Sequence, residues 1–268
     1  MSEAVAEASL EERARRHIMR ELGLSVARTA DRHLVGRAAI VPQACVPGTA
    51  VVRMSALAAW ADTLAGLISL DEVGPRVPVT LQLDVNLFVP PDGVTEVVAV
   101  GRLVKAGSTV VVADVDFEDQ DGRPLGVSTG LFMVAPDPEI RMPEGQDPIG
   151  LLADPGGPLQ VPLAERAGCE RLEPGVATLA RREDGLNASG SVNGGLLALV
   201  VEEAALSAAP GTSLSMMALR YVRPVRLGPA VARATVHGDV AEVIVSDEGR
   251  AAEGRGDDVA VAATTRAF

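Results

Sequence analysis

The sequence predicts an α+β chain of two similar halves. Each half is an antiparallel sheet wrapped round one long central helix, and the two pack together as an intrachain pseudo-dimer. Three observations predict this. Two long apolar runs without proline, residues 50–70 and 194–209, are hydrophobic nearly all round, which marks a buried helix rather than a surface one. Each run is followed by apolar segments joined by short turns, which imply antiparallel strands. A proline-rich stretch lies between the halves, with seven of the 18 prolines in residues 135–162.

In chain order, residues 10–22 read as a short amphipathic helix, 33–41 as an extended segment and 50–70 as the first central helix. In 79–89, Val79, Leu81, Leu83, Val85 and Leu87 alternate with Thr80, Gln82, Asp84 and Asn86. That is period two, with one face buried. Residues 96–107 and 108–134 supply further strands, and the DQDG at 119–122 signals a hairpin. Residues 141–160 form a Pro/Gly-rich linker, which a regular ladder or a long helix cannot cross. It separates an N-terminal domain, 1–140, from a C-terminal domain, 161–268. The second half repeats the order: a short helix at 161–168, an extended segment at 175–182, the central helix at 194–209, then strands from LSMMALRYVRPV onward. One apolar helix covers one face of one sheet. Such a unit is a hotdog fold, and two make a double hotdog with two sheets.

Composition narrows the function. The 268 residues are 47% hydrophobic but only 2% aromatic, so the core is built from Ala, Val and Leu. A net charge of −12 makes a poor binder of nucleic acid or of anionic membranes. Cys45 and Cys169 stand far apart, and His17, His33 and His237 form no cluster, so neither a disulfide framework nor a metal site is expected. No apolar run approaches the roughly 18 residues of a spanning helix. The charged start MSEAVAEASLEERARRH has no apolar signal core, so a cytoplasmic protein is expected. Gly126-Val127-Ser128-Thr129-Gly130 matches a serine-hydrolase elbow by letter, but it lies in a strand with no helix after it.

The stretch NASGSVNGGLLALVVEEAALSA (187–208) resembles the motif that opens the central helix in acyl-CoA thioesterases of the PaaI and 4-hydroxybenzoyl-CoA hotdog type. That motif reads Asn-x-x-Gly-x-x-His-Gly-Gly, with an acid seven residues further on. Asn187, Gly190, Gly194, Gly195 and Glu202 match, and Asn193 replaces the His. RMSALAAWADTLAGL in the first half is similar to the later part of the motif. Asp62 stands nine residues after Arg53, as Glu202 stands nine after Asn193. There Arg53-Met54-Ser55 replaces His-Gly-Gly, and Pro47 replaces the Asn.

The resemblance implies sites built across two hotdog units, with the Asn and Gly from one and the acid from the other. The complete combination is Asn187 and Gly194 with Asp62, and Thr80 lies eighteen residues after Asp62, where some relatives carry a hydroxyl. The other combination, Pro47 and Met54 with Glu202, lacks parts, so one working site per chain is expected. Thioester hydrolysis needs a nucleophile and a place for charge on the carbonyl oxygen. A helix N-terminal amide at Gly194 supplies the second, because the first turn's N–H groups have no intrahelical partner. A buried carboxylate, Asp62, activates water as general base or attacks directly, with Thr80 holding the water. Asn187 has both donor and acceptor and orients the thioester or the water, and Asn193 keeps a donor in place of His. Glu202 is the acid of the alternative site. Gly195, Trp60, Arg220 and Arg223 are candidate substrate contacts, the arginines for the phosphates of coenzyme A. The expected function is hydrolysis of an acyl-CoA, with no cofactor beyond the coenzyme A of the substrate, no nucleic-acid or membrane partner, and pairing of two chains into a homodimer. The alternative is a non-catalytic protein that binds acyl groups or acyl-CoA.

Overall fold

The structure is a computed structural model. It describes residues 15–31, 33–142, 145, 147–254 and 258–268. The strands are β1 (Ser25–Arg28), β2 (Leu34–Ala39), β3 (Pro78–Leu87), β4 (Glu96–Ala106), β5 (Val110–Asp119) and β6 (Pro124–Val134) in the first half. In the second they are β7 (Cys169–Glu173), β8 (Val176–Leu179), β9 (Leu214–Tyr221), β10 (Ala230–His237), β11 (Val240–Asp247) and β12 (Val259–Ala267). The helices are α1 (Met54–Val73), α2 (Pro148–Leu151), α3 (Leu163–Ala167), α4 (Gly194–Ala208) and α5 (Glu248–Ala252).

The expected two sheets are one. All twelve strands join in the order β1-β2-β4-β5-β6-β3-β9-β12-β11-β10-β8-β7. Read outward from the centre, every strand of the first half has its counterpart six strands later in the second. The halves fuse because β3 and β9 pair antiparallel, from Gln82 opposite Arg220 to Asn86 opposite Met216. Neither central strand keeps a free edge, and an open edge is what a sheet otherwise has to protect. β1 and β7 were not expected from the sequence. Each is a short outer strand paired only with its neighbour, β1 with β2 and β7 with β8.

The central helices begin and end close to the predicted bounds. Each packs on the strands of its own half, and the two pack on each other. α1 buries Met54 to Ala61 without interruption, and α4 buries Gly195 to Leu206 likewise. A helix with no polar face has no other stable place. The two cross closely at a glycine: a Cβ on Gly195 would lie 2.7 Å from the Ala59 Cβ and 3.0 Å from the Met19 Sδ. The hairpin at 119–122 forms as predicted. Gly122 turns with φ 77°, and Asp119 Oδ1 accepts from the N–H groups of Asp121 and Arg123.

Of the helix expected at 10–22, residues 10–14 lie outside the described residues, and Ile18–Leu22 is a 3-10 helix. The proline-rich stretch does not hang between the halves. It folds back on the first: Val26 N–H donates to Leu152 O and Leu159 N–H to Glu21 O. Arg20 also donates to Leu151 O and Asp154 O. Among the described residues no helix is long and apolar enough to cross a membrane.

Candidate active site

Asp62 and Gly194 meet where α1 and α4 cross. A Cβ on Gly194 would lie 3.3 Å from Asp62 Oδ2 and 3.2 Å from Tyr221 Oη. Asp62 Oδ1 accepts from Thr80 Oγ1 at 2.7 Å. Strict alternation along β3 would turn Thr80 to the outer face, away from α1. A bulge between Thr80 and Gln82 reverses this: Thr80 pairs with Phe132 and Leu83 with Gly130, so both face inward. A one-residue bulge is how a strand re-aims a side chain beside a site. Burial against apolar neighbours raises the Asp62 carboxyl to about 6, opposed by the Thr80 hydrogen bond, which favours the ionised form.

The first turn of α4 keeps one donor uncommitted. Asn193 is the N-cap, and its Oδ1 accepts from Gly195 N–H at 2.8 Å. Leu196 and Leu197 N–H both donate to Asn193 O at 3.1 Å. Gly194 N–H has no acceptor among the described residues. It therefore carries the positive end of the helix dipole at the Asp62 seam. Gly195 has a packing role as well: its N–H is capped by Asn193, and its missing side chain serves the contact with Ala59. Asn193 acts first as a cap, which leaves only its Nδ2 to donate.

Asn187 is more constrained than expected. Its Oδ1 accepts from the N–H and hydroxyl groups of both Ser189 and Ser191, at 2.7–3.2 Å. This acceptor shapes the loop ahead of α4 and is spent, so holding a water as acceptor is closed to Asn187. Its Nδ2 remains as a donor.

The pseudo-equivalent seam is closed, which corrects the role expected of Glu202. Glu202 Oε1 accepts from Met54 N–H at 2.8 Å, and Oε2 from Ser55 Oγ at 2.5 Å and Arg53 Nη1 at 3.2 Å. Arg53 Nη1 also lies 2.6 Å from Glu203 Oε1, and Arg171 Nε donates to Glu203 Oε2 at 2.6 Å. Burial disfavours the Arg53 charge, but Glu202 and Glu203 outweigh it and raise its pKa. The carboxylate of Glu202 sits on the helix amide that corresponds to Gly194 N–H, in a cluster with no room for a ligand.

Next to this seam, reached through Ala59, Thr63 and Asn193 in its wall, lies a cavity of about 570 Å³. Trp60, Leu22, Leu24, Ile140, Leu151 and Leu152 make most of its wall apolar, and Asn187 and Asn193 close the end at α4. The folded-back stretch after β6 thus lines it, which composition did not reveal. Trp60 is buried and lines this cavity, and its Nε1 has no acceptor among the described residues. Arg220 is not at the site. It lies on the opposite face of β9 from Tyr221, and its guanidinium is tied to Asp84. Arg223 lies beyond β9, its N–H on Ala260 O, outside the cavity wall. Sequence reasoning missed Tyr221, whose Oη donates to Gly194 O at 3.1 Å. The available signal was its parity: Met217, Leu219 and Tyr221 share one face of β9.

Long apolar helices crossing over an antiparallel sheet give the two halves the hotdog fold. Residues 54–125 match the model of the thioesterase superfamily. The match falls in the half that supplies Asp62 and Thr80. Two solved structures share the fold over nearly their whole length. One is an acyl-ACP thioesterase from Bacteroides thetaiotaomicron VPI-5482, with a TM-score of 0.61 and 14% identity over 88% of this chain and 98% of that one. The other is the 12:0-ACP thioesterase from Umbellularia californica, with a TM-score of 0.62 and 16% identity over 88% of this chain and 94% of that one. No curated protein matches the sequence.

Proposed function

We propose that this protein is a thioester hydrolase that cleaves an aliphatic acyl-CoA at the seam between Asp62 and Gly194, as one tandem pair of hotdog units with one working site. A thioester hydrolase is the activity that the family match and the fold support together. The observation that carries the site is the ionisable Asp62 carboxyl beside Gly194, whose N–H is uncommitted, with their neighbours Thr63 and Asn193 in the wall of an apolar cavity. The acyl chain lies along Trp60 and the leucines, and the thioester carbonyl oxygen meets Gly194 N–H with the Asn187 amide nearby. Asp62 takes a proton from water as the water oxygen bonds to the carbonyl carbon, and the carbonyl electron pair moves onto oxygen. Collapse breaks the C–S bond, and the thiolate leaves with the proton held by Asp62. Thr80 holds the carboxylate so that Oδ2 faces the reaction. A developing oxyanion against a fixed amide in a water-poor site is where such donors contribute most.

Incubation with a panel of acyl-CoAs of increasing chain length, with released thiol read by a colorimetric reagent, tests this reading. Turnover of medium or long aliphatic chains is expected, and saturable binding without thiol release would replace hydrolysis with binding alone. The full-length structural matches favour a second reading, in which the same acyl group arrives on acyl carrier protein. Comparing kcat/KM for one chain on the two carriers decides between them.

Two expectations follow for the chemistry. The kcat/KM profile should rise with pH through about 6 and stay flat above, because the base works only when Asp62 is ionised. A profile flat between pH 5 and 8 would remove Asp62 from that role. Asn187→Asp keeps the acceptor that shapes the loop and removes the donor. It should leave the melting temperature unchanged and lower kcat about 10²-fold or more, the effect of one oxyanion donor. An unchanged kcat in that variant would assign Asn187 to the loop alone.

A further inference from the structure

Tyr221 is the only tyrosine in the chain, and no step above uses it. It ends β9 directly opposite Val261 of β12, in phase with the buried Leu219 and Met217. It therefore faces inward, beside the first turn of α4. Its Oη donates to Gly194 O at 3.1 Å. Burial and the nearby Asp62 charge raise its pKa well above the ordinary tyrosine value, so the hydroxyl keeps its proton wherever the site works.

The geometry around Gly194 is specific. Tyr221 Oη and Asp62 Oδ2 lie 3.2 and 3.3 Å from a single point, the place a Cβ on Gly194 would take. Both distances are tighter than an ordinary Cβ contact, so the missing side chain is what lets the two oxygens converge on the helix end, beside the free amide. The Tyr221 proton is committed to Gly194 O, so the lone pairs of Oη are what it offers there. Asp62 Oδ1 is committed to Thr80, which leaves Oδ2.

We propose that Tyr221 is the second acceptor for the attacking water: one O–H of the water donates to Asp62 Oδ2 and the other to Tyr221 Oη. This rests on the reading of Asp62 as general base. A water held by one acceptor turns freely about that hydrogen bond. A second acceptor fixes the plane of the water and aims its lone pair at the carbonyl carbon, and such orientation is worth a large part of a barrier. The proton goes to Asp62 as the C–O bond forms, and Tyr221 gains and loses none. The same hydroxyl steadies the Gly194 peptide, so the β3–β9 pair carries both tethers: Thr80 to the acid and Tyr221 to the helix end.

The test is Tyr221→Phe, assayed on an acyl-CoA with and without hydroxylamine. Hydroxylamine attacks without a general base and forms a hydroxamate. The expected result is a kcat lowered about 10- to 100-fold, a KM within twofold, an unchanged melting temperature, and a larger hydroxamate share among the products. A variant that only shifts the helix would lose the amide as well and slow both nucleophiles alike. A kcat within twofold of the parent, or a fall with an unchanged product ratio, overturns the assignment. Asp62→Asn run alongside separates the two levels. Inactive Asp62→Asn with fully active Tyr221→Phe overturns the tyrosine's role alone, whereas full activity in Asp62→Asn overturns the base and the tyrosine's role with it.

Discussion

Asp62→Asn should abolish thiol release and make the protein more stable. General bases contribute about 10²–10⁴-fold, so kcat should fall by that order while acyl-CoA binding persists. The gain in stability follows from the same burial that tunes the group. Asp62 has a carboxyl raised to about 6 from an ordinary 3.8. Between those two values the folded chain holds a proton that the unfolded chain has released. Stability is therefore lost as pH rises through this window and stays lost above it. At about 1.4 kcal/mol per pH unit, the full cost is about 3 kcal/mol. Asparagine keeps the acceptor for Thr80 and carries no charge, so the variant escapes this cost. Denaturant melts at pH 8 should show it more stable, with the difference shrinking toward pH 4. A variant as active as the parent, or less stable at pH 8, contradicts the role given to this carboxyl.

Arg53→Met should do the opposite, damaging stability and sparing chemistry. Arg53 is fully buried and Glu202 nearly so, at 0% and 1% side-chain exposure. Removing the guanidinium leaves Glu202 with only Met54 N–H and Ser55, and Glu203 with only Arg171. Breaking one partner out of a buried ion pair costs about 3–5 kcal/mol. Urea melts should show a lower midpoint with an unchanged slope, partly recovered in mild acid as the stranded carboxyls protonate. Below the melting transition, kcat should stay within twofold, because the cluster is not at the Asp62 seam. Loss of turnover without loss of stability would mean that the closed seam is a working one.

These two carboxylates show what was legible in the sequence. Asp62 and Glu202 occupy the same motif position, and spacing alone treats them alike. What separates them is the residue at the other half's helix start. Asn193 caps its own helix and leaves Gly194 N–H open, whereas Arg53 reaches across to Glu202 and fills the space. An arginine inside an otherwise apolar run was the sequence sign of that ion pair. The central helices were legible because an all-round apolar run has one stable environment. The fused sheet was not, because the β3–β9 pairing joins residues about 130 apart, with no local signature. Thr80 was found by its distance from Asp62 although the alternation of 79–89 turned it outward. The bulge that reconciles the two arises from pairing with β6 and leaves no mark in composition.

The seam formed by Asp62, Thr80, Gly194 and Tyr221 draws its acid from one half and its amide from the other, and a single peptide chain ties the two together. A centre assembled from separate protomers weakens on dilution as the protomers part. Here turnover per milligram should hold constant down to any concentration at which the fold survives. The second seam, where Arg53 pairs with Glu202 and Glu203, holds the same two halves together through buried charge.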